Sequence, residues 1–265
     1  MLASAGRLRA AAPVLFAGAV LAGLIASASA QTSTPPHVGW AERLVAEVAP
    51  ADNFYGSHPT IVHWAEGGLR ARNRSVCSSF VTHVFERAYG LRDPDIRRWF
   101  GHGNPQAIDY EQAIAAQRGF ARVARVADLR AGDLIAFSEG PGHHPTGHVM
   151  IADGQARPHS ATQPDEPGMV QYEIAVIDSS HSGHGSLDTR FADGGHVTGV
   201  GRGTLRLYAN ADGSVAGYTW STKRISQFYP ASARPLVFGR YTGVPANAAP
   251  ATSDLGSDDA STGEQ

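Results

Sequence analysis

One cysteine, Cys77, stands in 265 residues, so no internal disulfide can staple the chain. An excess of either charge is missing as well: 22 basic against 24 acidic residues leave a net charge of −2, without the basic footprint of a nucleic-acid partner. The long apolar run is confined to residues 10–26, which is short for a membrane span. No internal repeat is visible and no H-E-x-x-H motif occurs, which removes the compact helical zinc site from consideration. In an oxidising compartment a lone thiol is a liability unless it is buried or useful, and that directs attention to position 77.

What is present begins with an export signal. Arg7 and Arg9 precede the apolar run, and Ala28-Ser29-Ala30 follows it with the small-x-small pattern of a cleavage site. Residues 1–30 are therefore expected to be a signal peptide and the mature chain to start at Gln31. No cysteine follows the cleavage position to carry a lipid, so a periplasmic or secreted protein is expected, with no membrane contact after cleavage. Residues 245–265, rich in Ala, Pro, Ser, Gly and acid, have almost nothing to bury and read as a disordered tail. Residues 31–244 between them suit one domain with a core of its own.

Within that domain Trp40, Leu44 and Val48 recur every four residues and stop before Pro50, predicting a first amphipathic helix. A looser segment follows, to about Asn73. From Cys77 the stripe Phe80, Val81, Val84, Phe85 and Ala88 predicts a buried helix with Gly90 as its left-handed cap. Asn104-Pro105 reads as the cap and first turn of another helix, reaching Arg118. Strand patterns then take over at 134–137, 148–152, 170–177 and 204–210, with a hairpin at Asp212-Gly213 and a last strand at 236–241. Helices first and strands second predict an α+β domain with a mostly antiparallel sheet packed on the early helices.

A thiol attacks only as thiolate, and a helix N-terminus and a neighbouring imidazolium are its usual sources of help. Cys77 has the first by position, and the free N–H groups of that first turn also suit an oxyanion. His148 offers the second, where a Gly-, Pro- and His-rich loop gives way to the strand of Val149-Met150-Ile151-Ala152. A hairpin-like strand order would bring Asp178, at the end of the next apolar strand, beside the imidazole to fix its tautomer.

Val76-Cys77-Ser78-Ser79-Phe80-Val81, Ala131-Gly132-Asp133-Leu134-Ile135-Ala136-Phe137 and Gly147-His148-Val149-Met150-Ile151 lie in that order. This ordered set resembles the NlpC/P60 and CHAP branch of papain-like cysteine hydrolases, as a divergent member with Val76 and Ser79 where the common motif has Asp and Gly. The resemblance spans about residues 77–178. It implies a papain-like fold in which Cys77 is the nucleophile, His148 the base and Asp178 the orienting third residue. It further implies an amidase or peptidase that cleaves amide bonds in peptidoglycan stem peptides; a monomer without cofactor or metal is expected. Tyr55 is the candidate for the upstream tyrosine that assists in that family, and Ser78 and His181 join it as substrate-binding candidates.

Blander readings stand beside these. A cysteine at an apolar helix edge can be a small buried hydrophobe, Asp178 can be a turn former before Ser179-Ser180, and the whole chain can be a wall-binding or scaffold module without chemistry. His143, His144, His181, His184 and His196 allow a zinc hydrolase, although their spacing matches no compact zinc motif. Gly199-Val200-Gly201-Arg202-Gly203 precedes a strand, so it reads as a flexible approach to the sheet instead of a phosphate cradle. The long segment 179–203 is expected to cover one side of the cleft and help select substrate.

Overall fold

The computed structural model describes residues 1–2, 34–139 and 146–247. All but the first two residues of the expected signal peptide and most of the expected tail lie outside the described residues, as do His143 and His144. Among the described residues there are four α-helices: α1 (Pro36–Glu47), α2 (Cys77–Tyr89), α3 (Asp93–Phe100) and α4 (Ala107–Ala115). No helix among them is long and apolar enough to cross a membrane. The strands are β1 (Asn53–Tyr55), β2 (Ile61–His63), β3 (Arg72–Ser75), β4 (Phe120–Arg122), β5 (Leu134–Ser138) and β6 (Gly147–Ala152), followed by β7 (Arg157–Pro158), β8 (Val170–Ser180), β9 (Gly199–Ala209), β10 (Val215–Thr219), β11 (Phe228–Pro230) and β12 (Leu236–Tyr241).

The main sheet runs β11-β10-β9-β8-β6-β5-β12-β4, with β7 paired to β8, and its described pairings are antiparallel. The fold is therefore α+β with a mostly antiparallel sheet. Strands β5 and β6 are buried at every position because both faces are covered. Leu134, Ala136, Val149 and Ile151 join the helix-side core with Phe80, Val81, Val84 and Phe85 of α2. Ile135, Phe137, Met150 and Ala152 face a second core with Leu205 and Leu207 of β9 and Tyr218 of β10. Two covered faces turn the usual alternation of a half-buried strand into a continuous apolar run.

Helix α2 follows its apolar stripe and ends at Gly90, whose φ of 68° takes the left-handed cap. Helix α1 buries Val38, Ala41 and Leu44, while Trp40 turns edge-on to Trp64 and Val48 already caps the helix. The Asn104-Pro105 start gives way to a cap at Gln106, whose N–H donates to the Asp109 carboxylate (2.7 Å). That acid at the third helical position satisfies the cap amide, which Pro105 cannot help. Helix α3 was not foreseen, and the segment before Asn73 holds a small sheet, β1-β3-β2, with β1 parallel to β3 and β2 antiparallel to it.

Candidate active site

Cys77 opens α2 directly after β3, and a buried amide network fixes that junction. Asn53 Nδ2 donates to Val200 O (2.8 Å) while Asn53 Oδ1 accepts Val200 N–H (2.8 Å), so one side chain reads both backbone groups of a residue in β9. Asn73 Nδ2 donates to Asn53 Oδ1 (2.9 Å), Ser75 Oγ to Asn73 Oδ1 (2.6 Å), and Ser179 Oγ to Ser75 O (2.7 Å). The backbone two residues before the thiol is thus tied to β8 one residue after Asp178. Buried polar groups satisfied this completely specify a single arrangement.

His148 enters from the second residue of β6. Gly147 precedes it at φ 139°, and a Cβ there would lie 2.0 Å from Phe137 O, so only glycine lets β6 close onto β5 at this point. Pairing of β6 with β8 brings Asp178 across the sheet, and His148 Nε2 stands 2.6 Å from Asp178 Oδ2. A carboxylate only accepts, so Nε2 carries the proton and Nδ1 is the nitrogen left for the thiol. Burial resists charging the ring, yet the negative charge of Cys77 and the hydrogen bonds to Asp178 and Cys77 outweigh it and push His148 up to about 10. The indole of Trp220 sits edge-on to the imidazole, 4.9 Å between ring centres, and shields it.

Asp178 does not end its strand as a turn former; β8 continues through Ser180. Its side chain is completely buried. Burial opposes its ionisation, but Arg190, His184 and the hydrogen bonds of both histidines hold the carboxyl well below the usual carboxylate range. Arg190 Nη2 donates to Asp178 Oδ1 (2.7 Å) and to Asp188 Oδ2 (2.9 Å), and Arg190 Nε donates to Asp188 Oδ1 (2.9 Å). Asp188 also accepts the backbone N–H of His184 (2.8 Å) and of Arg190 (2.9 Å).

These contacts correct one expectation and extend another. The Gly199–Gly203 run is the start of β9, paired residue by residue with β8, and is no flexible approach. Gly203 lies against Asp188 and His184, so that a Cβ there would meet Asp188 Oδ2 at 2.3 Å. The segment 179–203 also has a buried part, with His184, Asp188 and Arg190 packed around Asp178.

Tyr55 ends β1 half-buried, with its ring edge-on to exposed His181 (6.3 Å between centres). Burial, together with the nearby charges of Cys77 and Asp178, pushes the phenol above its ordinary range, so Tyr55 stays a proton donor at neutral pH. Ser78 is buried at the second position of α2, and its carbonyl accepts Thr82 Oγ1 (2.9 Å). The structure therefore gathers Cys77, His148, Asp178, Tyr55 and His181 at one end of the β6-β8 pair. Sequence reasoning missed Arg190, Asp188, Trp220 and the Asn53 network, and it weighed His184 only as a metal ligand. The clustering of His, Asp and Arg in a glycine-rich segment was the available signal.

For a metal, the group that converges among the described residues is His148, Asp178 and His184. Of the loop histidines among the described residues only His184 reaches it, since His181 faces Tyr55 and His196 stacks on Phe191 (4.8 Å). The fit is poor: ligands about 2.0–2.1 Å from zinc in tetrahedral array stand more than 3 Å apart, whereas His148 and Asp178 are in direct hydrogen-bond contact and the Arg190 cation already holds the other carboxylate oxygen.

No family model matches the chain, and no solved structure matches it. An uncharacterized protein of Acanthamoeba polyphaga mimivirus is 32% identical over 219 residues, covering 78% of this chain and 96% of the viral protein. The chain belongs to the family of that viral protein.

Proposed function

We propose that the chain is an exported cysteine hydrolase, a divergent papain-like enzyme of the NlpC/P60 or CHAP type, that opens amide bonds in peptidoglycan stem peptides. The observation that carries this reading is the directional chain from helix terminus to carboxylate. Cys77 stands at the N-terminus of α2, its side chain is within hydrogen-bond reach of His148, and His148 Nε2 is fixed on Asp178 at 2.6 Å. A merely buried cysteine needs none of this.

In the reaction Cys77 Sγ attacks the amide carbonyl carbon, and the oxyanion that forms is held by the N–H groups of the first turn of α2 and by the Tyr55 hydroxyl. His148 then gives its Nδ1 proton to the leaving nitrogen as the C–N bond breaks. Water attacks the thioester, His148 takes a proton from it, and the acid leaves with the thiolate restored. Asp178 keeps the proton of Nε2 in place through both steps. Exposed His181 beside Tyr55 faces the substrate at the rim. The export signal and the family resemblance supply the substrate class.

The test is the pH dependence of Cys77 alkylation by iodoacetamide in the chain from Gln31 onward, followed by amine release from purified peptidoglycan. Fast labelling at pH 6 that disappears in His148→Ala, with amine release abolished in Cys77→Ala, is the expected result. Slow labelling that follows an ordinary thiol titration in both proteins would overturn it. Cys77 is only 5% exposed, which favours a wall-binding module as the second reading if that outcome is found.

A further inference from the structure

His184 is completely buried and lies between two groups that can only accept. Its Nδ1 is 2.9 Å from Trp220 O and its Nε2 is 3.0 Å from Asp178 Oδ2. A neutral imidazole has one N–H, whereas an imidazolium satisfies both acceptors. The charges then close: Asp178 and Asp188 are matched by Arg190 and His184, and the matched set stands behind His148 without surplus of either sign. The same ring touches the two things that surround His148, its carboxylate partner and, through the Trp220 carbonyl, the indole packed on its edge. The His184 and Trp220 rings themselves lie 4.3 Å apart.

We propose that His184 is a positioning residue of the hydrolase centre, protonated on both nitrogens, whose Nε2–H fixes Asp178 Oδ2 where it accepts the hydrogen bond of His148 Nε2–H. This rests on the thiol-hydrolase reading above. Arg190 holds one oxygen of Asp178 and His184 the other, so the carboxylate cannot rotate about its bond to Cβ. A carboxylate free to rotate would let the imidazole drift and move its Nδ1 off the thiol, and small misplacements of a reacting pair are costly. Tyr55 and Cys77 face the cluster from β1 and α2, and Asp188 and Arg190 close it from the segment between β8 and β9.

Two amide substitutions separate the arms of His184. In His184→Gln the side-chain nitrogen reaches the position of Nε2 and retains the Asp178 contact. In His184→Asn it reaches only the position of Nδ1 and retains the Trp220 contact. Cys77 alkylation at pH 6 is measured for both beside the parent protein and His148→Ala, with circular dichroism and thermal midpoints on each. Recovery in His184→Gln to within about threefold of the parent, against a loss of roughly tenfold or more in His184→Asn, is expected for a hydrogen bond to a charged group. Equal rates in the two variants, or a faster His184→Asn, would overturn the role while leaving the Cys77–His148 pair standing. Labelling of the parent that is indifferent to His148→Ala would remove both readings together. The charge state is read independently in the parent protein from imidazole nitrogen resonances: two protonated nitrogens on His184 are expected, and a single-tautomer signal would overturn the assignment.

Discussion

Asp178→Asn is the perturbation with the sharpest consequence, because Arg190 dictates how the amide must sit. Arg190 Nη2 donates to Oδ1 at 2.7 Å, so the amide oxygen takes that place and the NH2 group falls where Oδ2 meets His148 and His184. Donors then confront Nε2 of His184, which can yield that proton and keep its Nδ1–H on Trp220 O, and of His148, which can answer only by giving up its Nε2 proton. The imidazole proton moves to Nδ1, facing Cys77, and the ring can no longer accept the thiol proton. Where the same exchange inverts the tautomer of a serine-hydrolase triad the rate falls about 10,000-fold, and a loss on the order of a thousandfold or more is expected here for the proposed amide hydrolysis. Removing a buried charge costs about 3–5 kcal/mol when its partner is left alone. Arg190 keeps Asp188, which places the stability loss near the lower end of that range. Urea denaturation gives the stability, and iodoacetamide labelling at pH 6 gives the state of the pair. A variant that labels within threefold of the parent and unfolds at the same urea concentration would refute both the amide orientation and the role of the carboxylate.

The two titrations of the site bound the stable pH range from opposite sides. Asp178 is depressed below its ordinary value, so its contribution is full above about pH 4 and is lost as pH falls through the folded value. His148 is raised, so its contribution is full below about pH 6.5, the ordinary histidine value, and is lost as pH rises toward about 10. Urea midpoints across pH 3–11 should show both limbs, and His148→Ala should flatten the alkaline one; a persistent alkaline limb in that variant would assign it elsewhere. Asn53→Ala removes three buried hydrogen bonds, to both backbone groups of Val200 and to Asn73. At about 1–3 kcal/mol for each buried group left without a partner, a loss of roughly 3–5 kcal/mol in thermal or urea unfolding is expected. A loss under about 1 kcal/mol would mean that the network does not hold β1 to β9.

Much of the site's front half was legible because it obeys periodicity. The stripe from Phe80 to Phe85 sets α2 and hence Cys77, and the apolar run from Val149 sets β6 and hence His148. Asp178 followed from strand order. The back half was closed to such reading, since charge pairing among His184, Asp188 and Arg190 has no period. Glycines there signalled flexibility, whereas Gly201 and Gly203 are small so that buried charged side chains can lie against the strand. Strands β1 to β3 were missed for a related reason. They are three or four residues long, carry Arg72 and Arg74, and are held by Asn and Ser side chains instead of an alternating apolar face.

The turn between β8 and β9 bears on how this family can change. In most β-hairpins the connecting turn drifts freely in length between relatives, because insertions there cost only a little chain entropy. Here both strands run for eleven residues in unbroken register, and the turn folds back to seat an arginine and a histidine on the carboxylate of its own first strand. Length has become part of the geometry around Asp178. Relatives that keep the Cys, His and Asp should therefore hold the number of residues between Asp178 and Gly203 fixed and confine their insertions to other loops, and a relative with a shortened turn should have lost its thiol as well.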